Sequence, residues 1–243
     1  MKLKNIILAF GCFATLASAH AQECVMPVSI QLDEDFTNIP AAASTVMYQT
    51  LNRIATENGL TSESLTTPFV LTVHCDVLDK SNLPGPPIQT VYNLGLTFYM
   101  ADTYTQKKFG TAYITVDGVG NGEVKSYINA FRRISASNGE IKNLLNKGKA
   151  NMLKYYDTQY SNIIKEAKRL VSLQKYEEAL TQVLSIPLCS KGGDEAAKYG
   201  LEIYTKNLDR MNLFLLNQAK ALWASGQDQQ SAYSVCELLA QVD

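Results

Sequence analysis

The sequence predicts an α+β protein: a small mixed sheet in the order strand-helix-strand-strand-strand-helix, followed by an all-α, repeat-like helical domain. Two observations carry this prediction. Apolar and polar side chains alternate along segments of the first half of the chain, as in strands with one buried face. In the second half, apolar residues recur every three to four positions, as on amphipathic helices. With 46% apolar residues, the 243-residue chain has enough apolar surface for packed cores.

The first 21 residues have the layout of a secretory signal peptide. Lys2 and Lys4 precede an apolar run over 6–16, and Ala19-His20-Ala21 fits a small-x-small cleavage site. The run is shorter than the roughly 20 apolar residues that span a bilayer. We therefore expect export to the periplasm or outer membrane, cleavage after Ala21, and a mature chain without a transmembrane span.

An α+β domain is predicted over residues 22–138. Its elements are a strand at 24–32, a helix at 43–55, strands at 69–77, 92–100 and 109–117, and a helix at 124–134. Asn58-Gly59 ends the first helix, and the last two strands form a hairpin. The segment Gly118-Val119-Gly120-Asn121-Gly122 matches neither the dinucleotide fingerprint nor the Walker pattern. It therefore predicts a tight strand-to-helix turn rather than a phosphate site.

The hairpin and the helix after it resemble a known group. The residues are Asp102-Thr103-Tyr104-Thr105 at the tip, the strand 109–117, then Gly118-Val119-Gly120 and Ala130. Over about 25–135 the chain resembles the periplasmic α/β domain of curli-secretion channel proteins, the amino-terminal domain of the Tol translocation protein and related envelope lipoproteins. Gln106 stands where that group has glycine. The resemblance implies assembly, including rings, or ligand binding in the envelope, and not catalysis.

The second half is predicted as a helical connector at 139–157 and paired helices at 158–243. Ala167-Lys168-Arg169-Leu170 recurs later as Ala219-Lys220-Ala221-Leu222, with an extra helix at 194–211 between them. With Ala179-Leu180 and a closing Pro187, this pattern resembles tetratricopeptide repeats, which bind proteins or peptides. An ordinary helical bundle is the alternative. The candidate partner-binding residues are Tyr156, Tyr160, Tyr176 and Tyr204.

Four cysteines follow the predicted leader: Cys24, Cys75, Cys189 and Cys236. An even number in an exported chain predicts disulfides. We expect Cys189 to pair with Cys236, since both lie in the carboxy-terminal half, which leaves Cys24 with Cys75. If the first two strands run parallel, these last two lie at opposite strand ends, and their bridge requires a flexible amino-terminal arm. The residues before Cys12 and Cys24 fit a lipid-attachment site poorly.

Composition excludes several classes of function. A net charge of −1 gives no field that attracts nucleic acid or anionic membranes. His74 is the one histidine after the leader, so we expect no catalytic residues, no metal and no cofactor. The sequence predicts a non-enzymatic envelope protein for protein–protein interaction or assembly, with an envelope protein or peptide as partner and homo-oligomers as an option. The alternative is a small-ligand or glycan-binding accessory protein that uses the α+β domain.

Overall fold

The computed structural model describes residues 26–61 and 67–242, so the predicted leader (1–21) and Cys24 lie outside the described residues. The strands are β1 (Met26–Pro27), β2 (Ser29–Ile30), β3 (Leu60–Thr61), β4 (Phe69–Leu83), β5 (Gln89–Asp102) and β6 (Lys107–Gly120). The α-helices are α1 (Ala41–Glu57), α2 (Glu123–Arg132), α3 (Gly139–Ser172), α4 (Tyr176–Leu184), α5 (Gly193–Ser225) and α6 (Gln229–Leu239). Within the described residues, none of the helices combines the length and the apolar character needed to cross a membrane.

The main sheet has the order β2-β4-β5-β6 and is mixed. β2 pairs parallel with β4, with Ser29 opposite Val70, and β1 pairs parallel with β3. Helix α1 makes the crossover that a parallel pair needs, whereas β4, β5 and β6 follow one another as antiparallel hairpins. A mixed sheet followed by a helical region confirms the predicted α+β class.

The helices cover one face of this sheet. Leu71, Leu96 and Phe98 are fully buried on that face, and they share one core with Leu51 of α1 and Phe131 of α2. Beyond Asp76, β4 is solvent-exposed on both faces, and the strand runs to Leu83 rather than ending at 77 as predicted. The period-two pattern that marks a strand depends on burial of one face, so it ends where the core ends.

Gly118 and Gly120 are strand residues of β6 rather than part of a turn. A Cβ atom at Gly118 would overlap the carbonyl oxygen of Ser126 in α2, and a Cβ atom at Gly120 would overlap the backbone at Lys125. The two glycines therefore let α2 pack directly on the β6 backbone. Within residues 118–122, Gly122 alone has a positive φ, 93°, the backbone region that a tight turn demands of glycine.

Helix α3 is a single helix of 34 residues that begins on the sheet. The Asn138 side chain accepts a hydrogen bond from the Glu140 amide at 2.9 Å and so caps the first turn. Ile141, Leu144 and Met152 are buried against the sheet. All three belong to the segment 139–157, which was predicted as a connector between domains rather than as part of the sheet's core. The predicted boundary between 157 and 158 falls inside this helix, and the division into two domains stays a prediction.

A buried hydrogen bond joins the β5–β6 turn to the middle of α3. The Asp102 carboxylate, 1% exposed, accepts bonds from the Tyr104 amide at 2.8 Å, the Thr105 hydroxyl at 2.9 Å and the Tyr156 hydroxyl at 2.6 Å. The ring of Phe69 in β4 meets the Tyr156 ring edge-on, with centroids 5.6 Å apart. Burial, and secondly the bond to Asp102, raises the pKa of Tyr156.

Replacing Tyr156 with phenylalanine removes one donor from this buried carboxylate. We expect Tyr156→Phe to lower the free energy of unfolding by about 1–3 kcal/mol, measured by urea denaturation at pH 7. The control is Tyr204→Phe on the exposed surface of α5, expected to change it by less than about 0.5 kcal/mol. Equal effects of the two variants would contradict this account.

The stabilities of the wild type and of Tyr156→Phe should depend differently on pH. Because the pKa of Tyr156 is raised on folding, its contribution is present below the unfolded value of about 10 and is lost as pH rises above it. The stability of Tyr156→Phe should therefore fall less steeply than that of the wild type between about pH 9 and 11. Parallel curves for the two proteins would be the opposite result.

Gln106 occupies the glycine position of the hairpin tip with φ of 57°. A Cβ atom in this left-handed region costs roughly 1–2 kcal/mol, although the Gln106 side chain also donates a hydrogen bond to the Thr103 carbonyl at 3.0 Å. Comparing Gln106→Gly with Gln106→Ala isolates the Cβ atom, because both variants lose that bond. We expect the glycine variant to be about 1 kcal/mol more stable in thermal unfolding. A more stable alanine variant would contradict the strain.

Candidate functional site

Helix α5 is much longer than the helix it packs on. It has 33 residues, whereas α4 has nine. Ala196 and Ile203 are buried, and the Arg210 guanidinium lies 5.4 Å from the ring centroid of Tyr176, the first residue of α4. Residues 211–225 therefore extend past the start of α4 by roughly 20 Å, at about 1.5 Å per residue.

Helix α6 folds back on this extension and forms a helical hairpin with it. The Asp228 carboxylate accepts a hydrogen bond from the Ser231 amide at 2.8 Å and caps the amino terminus of α6. The same bond lowers the pKa of Asp228. We call residues 211–239 the projecting hairpin. Ala219 is its one buried apolar residue in the described structure, so the hairpin has almost no core of its own.

A groove runs along the projecting hairpin between its two helices. Its two adjoining hollows enclose about 660 Å³ and about 490 Å³. The lining residues include Met211, Phe214, Gln218, Leu222, Leu238 and Gln241. Phe214 and Ala221 follow Ile203 by whole numbers of helical turns, so all three lie on one side of α5. The groove therefore continues the side of α5 that is buried nearer its amino terminus.

The chemistry of the projecting hairpin is apolar and nearly uncharged. Residues 211–240 contain three charged residues, Lys220, Asp228 and Glu237. Phe214 is 61% exposed and Trp223 is 46% exposed. Aromatic and methionine side chains with few charges are typical of the buried centre of protein interfaces. Exposed apolar patches are common at protein interaction sites and uncommon on solvent-facing helices.

The four predicted tyrosines have different positions. Tyr156 is fully buried, so its prediction as a partner-binding residue is wrong; its hydroxyl is committed to Asp102. Tyr160 is partly buried against the α4–α5 turn, where its ring lies next to Gly192. Tyr176 lies beside Arg210 and Tyr204 is 54% exposed, and these two stay predictions.

Sequence reasoning missed the groove because it divided α5. The extra helix was predicted at 194–211, whereas the helix runs without interruption to Ser225. A signal was present, because leucine recurs every seven residues at Leu201, Leu208, Leu215 and Leu222. A seven-residue repeat is typical of a continuous helix with a packing seam.

The open face of the sheet forms a second concave surface. A hollow of about 560 Å³ is bordered by Thr72, His74 and Tyr99. The His74 ring nitrogens lie 3.5 Å from Asp33 and 3.1 Å from Asp76. These polar groups contact one another, as on a solvated sheet face. Ligand or glycan binding at the α+β domain stays a prediction.

Neither of the two predicted disulfide pairings is present in the structure. Cys75 and Cys236 are free, so Cys189–Cys236 and Cys24–Cys75 are wrong. Cys189 precedes α5, whereas Cys236 lies on α6 near the other end of that long helix, well beyond the roughly 7 Å that a bridge allows. Cys189 is disulfide-bonded. Burial, and secondly the nearby charge of Asp76, raises the pKa of Cys75 to about 12.

Comparison with known proteins shows partial likenesses only. No protein-family model and no curated protein matches the chain. A minor lipoprotein from Acinetobacter baumannii is 18% identical over 39% of this chain and 68% of its own, with a TM-score of 0.26. A protein from Caulobacter crescentus CB15, assigned as a lipoprotein, is 8% identical over 50% of this chain and 88% of its own, with a TM-score of 0.30. Likenesses at this level carry no inference about function.

The thiols give a direct test of the cysteine arrangement. At pH 8 a thiol with a pKa of about 12 is deprotonated to only about one part in 10⁴, so Cys75 should alkylate at least ~100-fold more slowly than exposed Cys236. Denaturant should bring the two rates together. In a non-reducing peptide map, Cys189 should be recovered in a disulfide-linked peptide, whereas Cys75 and Cys236 should be recovered as free thiols. Equal native rates, or a linked Cys236 peptide, would contradict the structure.

Proposed function

We propose that this is an exported, non-enzymatic protein of the cell envelope that binds a helical segment of a protein partner in the groove of the projecting hairpin. The observation that carries the proposal is the groove itself. It continues the packed side of α5 and is lined by apolar side chains of Met211, Phe214 and Leu222. Amphipathic helices bind such grooves through apolar residues spaced at i, i+3, i+4 and i+7.

Export is supported by the leader pattern over residues 1–21 and by the bonded state of Cys189. Disulfides persist in oxidising compartments and are rare in reducing ones. The free thiol of Cys236 is exposed, but it lies on a helix far from Cys189 and so does not compete for the bridge. A periplasmic or outer-membrane location follows from this part of the proposal.

The succession of helices supports the tetratricopeptide-like prediction. Helix α4 packs back on α3, α5 packs on α4, and α6 packs back on the end of α5. Small residues lie where these helices meet, since Ala167, Ala179 and Ala219 are all buried. In such arrays each unit covers the apolar face of its neighbour, and the last face is covered by a cap or a partner. The projecting hairpin presents such a last face.

A binding role agrees better with the chemistry of His74 than a hydrolytic one. A general base must face the proton that it removes. Both ring nitrogens of His74 instead lie beside carboxylates, those of Asp33 and Asp76. This arrangement joins the segment after β2 to β4 and supports a structural role for the histidine.

Site-specific photo-cross-linking tests the proposal. We expect p-benzoylphenylalanine at Gln218, in the groove, to give one dominant protein adduct in envelope preparations of the source cells. The matched control carries the same group at Leu213, which is 58% exposed on α5 but does not line the groove. Identical adducts at both positions, or none at Gln218, would contradict the proposal.

A further inference from the structure

Given the proposed function, the chemistry of the groove in the projecting hairpin indicates what binds there. We infer that the groove binds a second copy of this chain, so that two projecting hairpins form a four-helix bundle around a twofold axis. Each α5 then lies in the groove of the other copy. A twofold contact is self-complementary, because every contact that one copy makes is returned by the other. Antiparallel helical hairpins are the usual halves of such bundles.

The distribution of charge along the projecting hairpin is compatible with contact between two copies of it. Three charged residues in residues 211–240 leave little repulsion between two identical surfaces. In an antiparallel contact centred on Gln218, Arg210 lies eight positions before the centre and Asp228 ten positions after it. The Arg210 of one copy therefore comes within two positions, about 3 Å along the helix axis, of the Asp228 of the second copy, and each contact carries this pair twice. Arg210 borders the groove, and the Asp228 side chain is exposed.

The amide groups fit a symmetric contact as well. Gln218 and Gln241 both line the groove. A side-chain amide has donors and an acceptor, so it can pair with the same group on a second copy. A partner with many charges would leave these amides opposite ions in an apolar groove, which costs desolvation free energy.

The apolar side chains that line the groove are well exposed. Met211, Phe214 and Leu222 are 51%, 61% and 39% exposed, whereas Leu213 lies outside the groove lining. A twofold contact buries each of these three side chains twice, and removing their apolar surface from water favours association.

Sedimentation equilibrium of the purified mature protein, over about 1–100 μM, tests this inference. We expect a monomer–dimer equilibrium for the wild type. Phe214→Glu places a charge in the groove and should weaken association at least about 100-fold, as expected for a buried aromatic anchor. The matched control Leu213→Glu, on the neighbouring residue outside the groove lining, should stay within about threefold of the wild type. Circular dichroism verifies that both variants are folded.

Three outcomes would overturn the inference: a monomer at every concentration, association that Phe214→Glu leaves unchanged, or equal weakening by Leu213→Glu. The cross-linking experiment separates this failure from failure of the proposed function. A monomeric protein whose Gln218 position cross-links one different envelope protein refutes the second copy and leaves partner binding intact. Loss of any Gln218-specific adduct refutes both.

Discussion

The hydrogen bond between Asp102 and Tyr156 is the constraint on which the placement of the helices depends. A carboxylate that is 1% exposed must have its acceptor sites filled, and the turn amides together with the Tyr156 hydroxyl fill them. Because Tyr156 lies in the middle of α3, the bond fixes that helix against the sheet at its midpoint. Ser185, at the end of α4, is also buried and interacts with the Tyr156 hydroxyl. Sheet, α3 and α4 therefore meet at one polar junction.

The junction decides what the rest of the chain can do. With α3 fixed on the sheet and α4 packed on α3, α5 is held along one side from Ala196 to Arg210, and its remaining residues project beyond the packed body. The projecting hairpin carries its apolar residues outward because α6 alone cannot cover them. The described structure thus combines a well-packed body with an apolar surface at the end of a long helix. This combination is suited to holding a partner at a fixed position.

Sequence patterns predicted the elements that bury one face and missed those that do not. Helix α1 and the β5–β6 hairpin follow from helical period and alternation, and Leu51 is buried as expected. The single strand predicted at 24–32 is instead two short strands, β1 and β2, that pair with different strands, although Met26 and Val28 are buried as expected. The second half of β4, from Val77 to Leu83, is exposed, so its sequence does not alternate between apolar and polar residues and no pattern identified it as a strand. The roles of Gly118 and Tyr156 depend on distant segments, α2 and the β5–β6 turn, that no local pattern identifies. The predicted pairing of Cys189 with Cys236 is wrong for the same reason. The two residues lie in the same half of the sequence, but the long helix α5 separates them in space.

Hydrogen–deuterium exchange at low and high protein concentration tests the central claim most directly, because it reports the junction and the projecting hairpin together. The account predicts uniform, strong protection along α3 through Tyr156 at both concentrations. It predicts that amides of residues 211–239 exchange quickly in dilute protein and become protected as the concentration rises. A break in protection near Tyr156, or exchange in 211–239 that is independent of concentration, would contradict it.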